Sequence, residues 1–247
     1  MFKKIFQKTW PALLCILTFL ILAAGFFSPL VGGDKVMFQH DILQATGMAQ
    51  ESVKHMEKTG KEPLWTNSMF SGMPAYQIKA DYPNNYTRHL FGALTYMFGY
   101  DRYPITSLWM LMTCMFLMLL VFKVNVWAAA AISIGYGFTS FNIIGIEEGL
   151  ANKIWTLMYS PLLLAGVKLT LNKRYILGAV TTAVAMALNV YANHLQITYY
   201  MFIAILVWMI VELVFAIKQD RLKSFLMAAG ILVVSAGLGI MTNAATL

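Results

Sequence analysis

The chain has 247 residues, of which 59% are hydrophobic and 12% charged, with a mean hydropathy of +0.65 and a formal net charge of +7. Lipid rather than water solvates such a composition, which excludes a soluble globular or a disordered protein. The basic residues are scattered between apolar runs and form no basic stripe, so no nucleic-acid partner is expected and the charge reports membrane topology instead.

Seven apolar stretches, near residues 11–31, 104–122, 126–146, 154–171, 176–193, 197–217 and 224–242, have the length a helix needs to cross a hydrocarbon core of about 30 Å. The predicted fold is therefore all-α: a polytopic transmembrane helix bundle of about seven spans. Lys3, Lys4 and Lys8 precede the first stretch as they would in a secretory signal, but its apolar run is longer than that of a signal and reads as an uncleaved span. Cys15 and Cys114 both lie inside apolar runs and read as small apolar residues, with neither disulfide nor metal-knuckle spacing.

Orientation follows from the short loops. With the N-terminus inside, Lys3, Lys4, Lys8, Lys123, Lys168, Lys173, Arg174, Lys218, Arg221 and Lys223 lie on the cytoplasmic face, opposed only by Asp220. The chain then divides into a cytoplasmic N-terminus and first span (1–31), a long outer loop (32–103) and six further spans (104–247). This predicts a multi-pass protein of a bacterial cytoplasmic membrane.

Loops this long usually carry function. After Asp41 the pattern Ile42, Ala45, Ala49, Val53, Met56 predicts an amphipathic helix ended by Gly60, placed flat on the outer membrane surface or packed on the bundle. A second segment runs from about Thr87 to Phe98 with Leu90, Phe91, Leu94 and Phe98 as its apolar stripe. Between them, Trp65, Phe70 and Tyr76 in a Pro- and Gly-rich stretch predict an irregular but ordered loop. Asn85-Tyr86-Thr87 fits the N-glycosylation pattern, a three-residue match too common to carry weight.

Three polar clusters fall on the outer side: His40 and Asp41 after the first span; Glu147, Glu148, Asn152 and Lys153 between spans three and four; Asn193, His194 and Gln196 between spans five and six. Loops on one side of a bundle can converge on one cavity. Each residue also has a structural reading. Asp41 with Gln44 three residues later fits a helix N-cap with a capping-box partner, Glu147 and Glu148 fit solvated turn residues, and His194 fits an interfacial turn. His55 and His89 read as surface residues, and the methionines as lipid-facing or core filler.

The runs FQHDILQATGMAQE (38–51), EPLWTNSMFSGMPAYQI (62–78), IEEGLANK (146–153) and VYANHLQITYY (190–200) resemble the N-terminal portion of bacterial YfhO-type membrane proteins. That family is similar to the GT-C superfamily of integral-membrane glycosyltransferases, with a large first outer loop containing two membrane-surface helices. The resemblance implies transfer of a sugar from a polyprenyl-phosphate carrier to a glycan or polymer acceptor of the cell envelope, on the outer side of the membrane. It implies Asp41 as catalytic base, and a substrate site drawn from His40, Glu147, Lys153, Asn193, His194, Gln196, Trp65 and Asn67. Lys153 and His194 would receive the leaving phosphate, with Arg88 and Arg102 in reserve. No cofactor is implied with certainty, and a divalent metal is left open.

The family's turn between spans three and four often reads E-A-G-H-N-T-K and stands here as Glu147-Glu148-Gly149-Leu150-Ala151-Asn152-Lys153. Its central histidine and asparagine are absent while Glu147, Gly149 and Lys153 keep register, so a ligand that histidine would supply is not carried over. Family members are longer, and the chain reads as a fragment that lacks an acceptor-binding part. The alternatives from other classes are a non-catalytic helper that binds the lipid carrier and a transporter of envelope lipid or glycan precursors. Against transport, the spans show no internal repeat and intramembrane charge is nearly confined to Glu212. The discriminating geometry is whether Asp41, Lys153 and His194 line one cavity.

Overall fold

The computed structural model describes residues 2–32, 35–75, 78 and 85–244, with the backbone alone for 2–8; Tyr76 of the predicted loop lies outside the described residues. Eleven helices make up the described fold: α1 (Phe2–Phe26), α2 (Ser28–Val31), α3 (His40–Thr59), α4 (Tyr86–Thr95), α5 (Tyr103–Val121), α6 (Val126–Gly137), α7 (Ser140–Glu148), α8 (Ala151–Leu171), α9 (Tyr175–Tyr191), α10 (Leu195–Lys218) and α11 (Leu222–Met241). The one sheet among the described residues is a two-residue antiparallel pairing of β1 (Trp65–Thr66) with β2 (Met73–Pro74), so the fold is all-α.

Five of these helices, α1, α5, α8, α10 and α11, are long and apolar enough to cross a membrane, and α6 with α7 makes a sixth as one bent span. The chain is a multi-pass membrane protein. The expected fifth stretch, 176–193, forms α9, which at 17 residues is shorter than the others. The expected third stretch, 126–146, is broken: α6 and α7 meet at an angle of 46°. Thr139 leaves the helix in an extended conformation, and the carbonyl of Tyr136 at the break accepts from the Asn142 side chain at 2.8 Å and from the Thr139 hydroxyl at 3.1 Å.

Packing in the bundle follows the small and aromatic residues. Cys15, Phe19, Ala23 and Phe27 recur every fourth residue and form the buried stripe of α1, with Phe19 edge-on to Phe116 of α5 at 5.4 Å between ring centroids. The opposite stripe, Leu13, Leu17 and Ile21, is exposed to the hydrocarbon. Helices α8 and α9 approach so closely that Gly166 lies against Thr182 and Gly178 against Thr170, and Gly239 of α11 lies against the backbone of α9 at Ala183 and Ala187. Small residues at these crossings replace the hydrophobic driving force that lipid cannot supply.

The two helices of the 32–103 segment dock differently. In α4, Asn85 caps the helix by accepting from the Thr87 amide and donates its amide to Asn243 after α11, while Phe91 packs between Trp155 and Tyr191. α4 is thus a built-in part of one end of the bundle, and the Asn85 amide of the glycosylation pattern is buried and engaged. Helix α3 is anchored at its beginning. Gln39 donates to the Tyr103 hydroxyl and to the carbonyl of Ile146, and Gly149 packs against Gln39 and Ile42.

Candidate functional site

A cleft of about 1050 Å³ opens between α3 and the N-terminal ends of α8 and α10. Its roof is the apolar stripe of α3, Ile42, Ala45, Ala49 and Val53. Its floor is the α7–α8 turn from Gly149 to Lys153 with Trp155, and His194 stands at one side. The amphipathic pattern of α3 therefore faces a partly open space, which a purely structural stripe would fill with packed side chains.

Three helices begin at this cleft, and Gly149 explains how two of them meet. Its φ of +84° ends α7 in the left-handed conformation, and its missing side chain lets the turn reach the backbone of Ile42, since a Cβ there would sit 3.3 Å from that amide nitrogen. The same contact sets Asp41, in the first turn of α3, facing the first turn of α8, where Lys153 stands. Neither α8 nor α10 has a side-chain cap at its N-terminus; the Ala151 amide donates to the Gly149 carbonyl, and the first turn of α8 turns the positive end of its helix dipole to the cleft.

The polar groups divide by charge. Asp41 is half-buried and its carboxylate has no partner among the described residues; it does not cap α3, whose N-cap is Gln39, and Gln44 instead bonds the His40 ring at 2.8 Å. The expected capping box is absent because the helix begins one residue before Asp41 and places it inside the first turn. Lys153 holds its ammonium 4.1 Å from the centroid of the Phe141 ring, a weak partner that a harder anion would displace. His194 Nδ1 and Trp155 Nε1 are both buried with no hydrogen-bond partner, which in a native fold calls for a ligand or an ordered water.

Of the residues predicted for the site, Asp41, Lys153 and His194 line the cleft together. The others do not line it. His40 is exposed and turns to Gln44, Glu147 is exposed before the turn, and Asn193 is exposed in the left-handed residue that ends α9, with φ 57°. Gln196 donates to the Tyr200 hydroxyl at 2.7 Å along the surface of α10. Trp65 and Asn67 belong to a separate arrangement on α3: Trp65 lies against Gly72, and the Asn67 amide donates to Glu51 at 2.9 Å, an oxygen that also accepts from Thr66. These donors hold the Glu51 carboxyl below its ordinary range, Thr66 first. Arg102 donates to the carbonyl of Leu30, away from the cleft.

Sequence reasoning missed Trp155 and Gln39. Trp155 reads as part of an apolar run, and its indole nitrogen becomes conspicuous only once the rings of Phe91, Tyr96 and Tyr103 are seen to hold the rest of it. Gln39 carried a signal, a polar residue directly before His40 and Asp41, and it proves to be the buried anchor of α3. Among the described residues, no three His, Cys, Asp or Glu side chains gather into a group that would hold a metal ion.

Comparison with protein-family models, with curated proteins and with solved structures gives no match.

Proposed function

We propose that the chain is the membrane module of a glycosyltransferase of the YfhO and GT-C type, working on the outer face of a bacterial cytoplasmic membrane. It moves a sugar from a polyprenyl-phosphate carrier to a cell-envelope glycan or polymer acceptor. The observation that supports this reading is the meeting of one unpartnered carboxylate, Asp41, with Lys153 and His194 in a single cleft roofed by apolar residues. A lipid phosphate has the matching halves: an anion for the α8 end of the cleft, and an isoprenoid stem for Ile42, Ala45 and Ala49.

In the reaction, the Asp41 carboxylate takes the proton of the acceptor hydroxyl as its oxygen bonds to the anomeric carbon. The bond from that carbon to the phosphate oxygen breaks on the opposite face, and the phosphate leaves with the electron pair. Lys153, the His194 ring and the N–H groups of α8 stabilise the charge that gathers on it. Inversion at the anomeric centre follows.

The test is reconstitution of the chain with polyprenyl-phosphate sugars, comparing wild type with Asp41→Asn. Transfer that the variant loses while its expression and lipid-phosphate binding persist supports the reading. Equal turnover by the variant removes Asp41 from the mechanism. Binding of the carrier without turnover by either chain replaces the enzyme with a carrier-binding helper.

A further inference from the structure

The bundle has a second concavity, at the end remote from the cleft. It has a volume of about 850 Å³ where α5, α8 and α9 meet, and Leu117, Leu162 and Leu177 contribute one wall residue from each helix. Its rim carries Lys123, Lys173 and Arg174, and no carboxylate lines it among the described residues. Ala151 at one end of α8 lines the cleft and Leu171 at the other lines this concavity, so at about 1.5 Å per residue the two lie roughly 30 Å apart, one bilayer core.

The cations are held there by backbone geometry. Lys123 and Lys173 each have φ 63°, the left-handed position that ends a helix and that glycine ordinarily occupies. The two turns are built alike: the amides of Lys123 and Val124 donate to Leu120 and Leu119, and those of Lys173 and Arg174 donate to Thr170 and Leu169, all at 3.0 Å. Two helix ends thus carry lysine where glycine would be less strained, and both lysines stand on the same rim.

We propose that this concavity is a binding site for an anionic phospholipid, its phosphate seated among Lys123, Lys173 and Arg174 and its acyl chains lying along the leucine wall. Two kinds of complementarity select this occupant. A zwitterionic lipid fills the wall but brings its own cation to a cationic rim. A soluble anion meets the rim but leaves the leucines uncovered. Only an anionic lipid answers both, and basic pockets between spans are where such headgroups dock. The proposal does not depend on the chemistry of the cleft.

The experiment uses the full chain in phosphatidylcholine nanodiscs and in detergent, reading lipid retention by native mass spectrometry and the thermal midpoint on titration. The expected result is that phosphatidylglycerol is retained and raises the midpoint, while phosphatidylcholine and inorganic phosphate do neither. Lys173→Gln weakens retention about fivefold and Lys173→Arg restores it, and the combined Lys123→Gln, Lys173→Gln, Arg174→Gln chain weakens it on the order of a hundredfold. Because these charges also direct insertion, Lys173→Gln decides the matter if the combined chain does not insert. Unchanged retention in Lys173→Gln overturns the proposal, as does an equal response to phosphatidylcholine. A full midpoint shift with inorganic phosphate alone replaces the lipid with a free anion.

Discussion

Replacing Gly149 by alanine tests how the cleft is assembled. Two effects oppose it. An L-residue at φ +84° is strained by about 1–2 kcal/mol, of which alanine recovers about 0.4–1 by restricting the unfolded chain. The new Cβ also meets the Cβ of Gln39 at 3.0 Å and the Ile42 amide nitrogen at 3.3 Å, neither being the far end of a flexible side chain. Overpacking against backbone of this kind adds about 1 kcal/mol or more. The net loss of about 2 kcal/mol lowers the thermal midpoint by roughly 4–8 °C for a chain of this size. It also pushes the first turn of α3 away from α8, so amide exchange over residues 40–44 should quicken. Gly47→Ala is the control: it lies in α3 with nothing within 4 Å of its Cβ and should gain about 1 kcal/mol of helix stability. A Gly149→Ala chain as stable as wild type, or with unchanged exchange at α3, would refute the account of how Asp41 and Lys153 are brought together.

Trp155→Phe removes the buried, unpartnered indole N–H and part of the ring that packs on Phe91, Tyr96 and Tyr103, so binding of a polyprenyl phosphate should weaken by about 1.5–3 kcal/mol, as read by lipid titration, and the thermal midpoint should fall with it. Gly178→Ala sets a Cβ against the Thr170 hydroxyl and 2.7 Å from the Thr170 backbone nitrogen and should cost about 3 kcal/mol; Thr170→Ala removes only the hydroxyl contact and should rescue part of the loss, so a fully rescued double variant would contradict the packing given for α8 and α9. The Glu51 carboxyl is held below its ordinary value, so its hold on Thr66 and Asn67 is complete above about pH 4.3, where the unfolded group is also ionised, and is lost as pH falls through the lower folded value. Amide exchange at residues 65–68 should therefore rise in acid, and Glu51→Ala should show the acid behaviour at neutral pH.

The helices were legible in the sequence because each expresses a local pattern. Apolar runs gave five of the seven expected spans and a sixth as the bent α6–α7 pair, while 176–193 became a helix of 17 residues, and the recurrence of Ile42, Ala45, Ala49 and Val53 with Gly60 behind them gave α3 to within a residue or two of its ends. What those apolar faces touch was less legible. The stripe of α3 announces burial, yet the structure spends it on the roof of a cleft, while the shorter stripe of α4 is packed through Phe91. Hydrophobicity sets that a face leaves water; the partner it finds depends on chain brought in from elsewhere. The candidate site divides the same way. Asp41, Lys153 and His194 stood out as polar residues at helix ends on one side, and so did Asn193 and Gln196, but only tertiary packing decides which of such residues look inward.

The broken span shows why the cleft lies where it does. A straight helix through residues 126–148 would continue the axis of α6, which Gly137 holds against Met112 with no room for a Cβ. The break at Thr139 turns α7 by 46° from that axis and carries the Ile146 carbonyl to the Gln39 amide. That bond, with the contact at Gly149 and the Gln39 bond to Tyr103, ties α3 to the bundle end. Loss of the break therefore does more than straighten a span: it withdraws the α7–α8 turn from Gln39 and unroofs Lys153. Asn142→Leu isolates this step, because it removes a donor to the Tyr136 carbonyl without altering any cleft residue. The Tyr136 carbonyl keeps the Thr139 amide and hydroxyl as donors, so the lost hydrogen bond costs about 0.5–1.5 kcal/mol. If the bend holds α3 over Lys153, a cysteine reagent aimed at Lys153→Cys should react faster in the Asn142→Leu background. Equal reactivity in the two backgrounds would show that Gly149 alone positions α3.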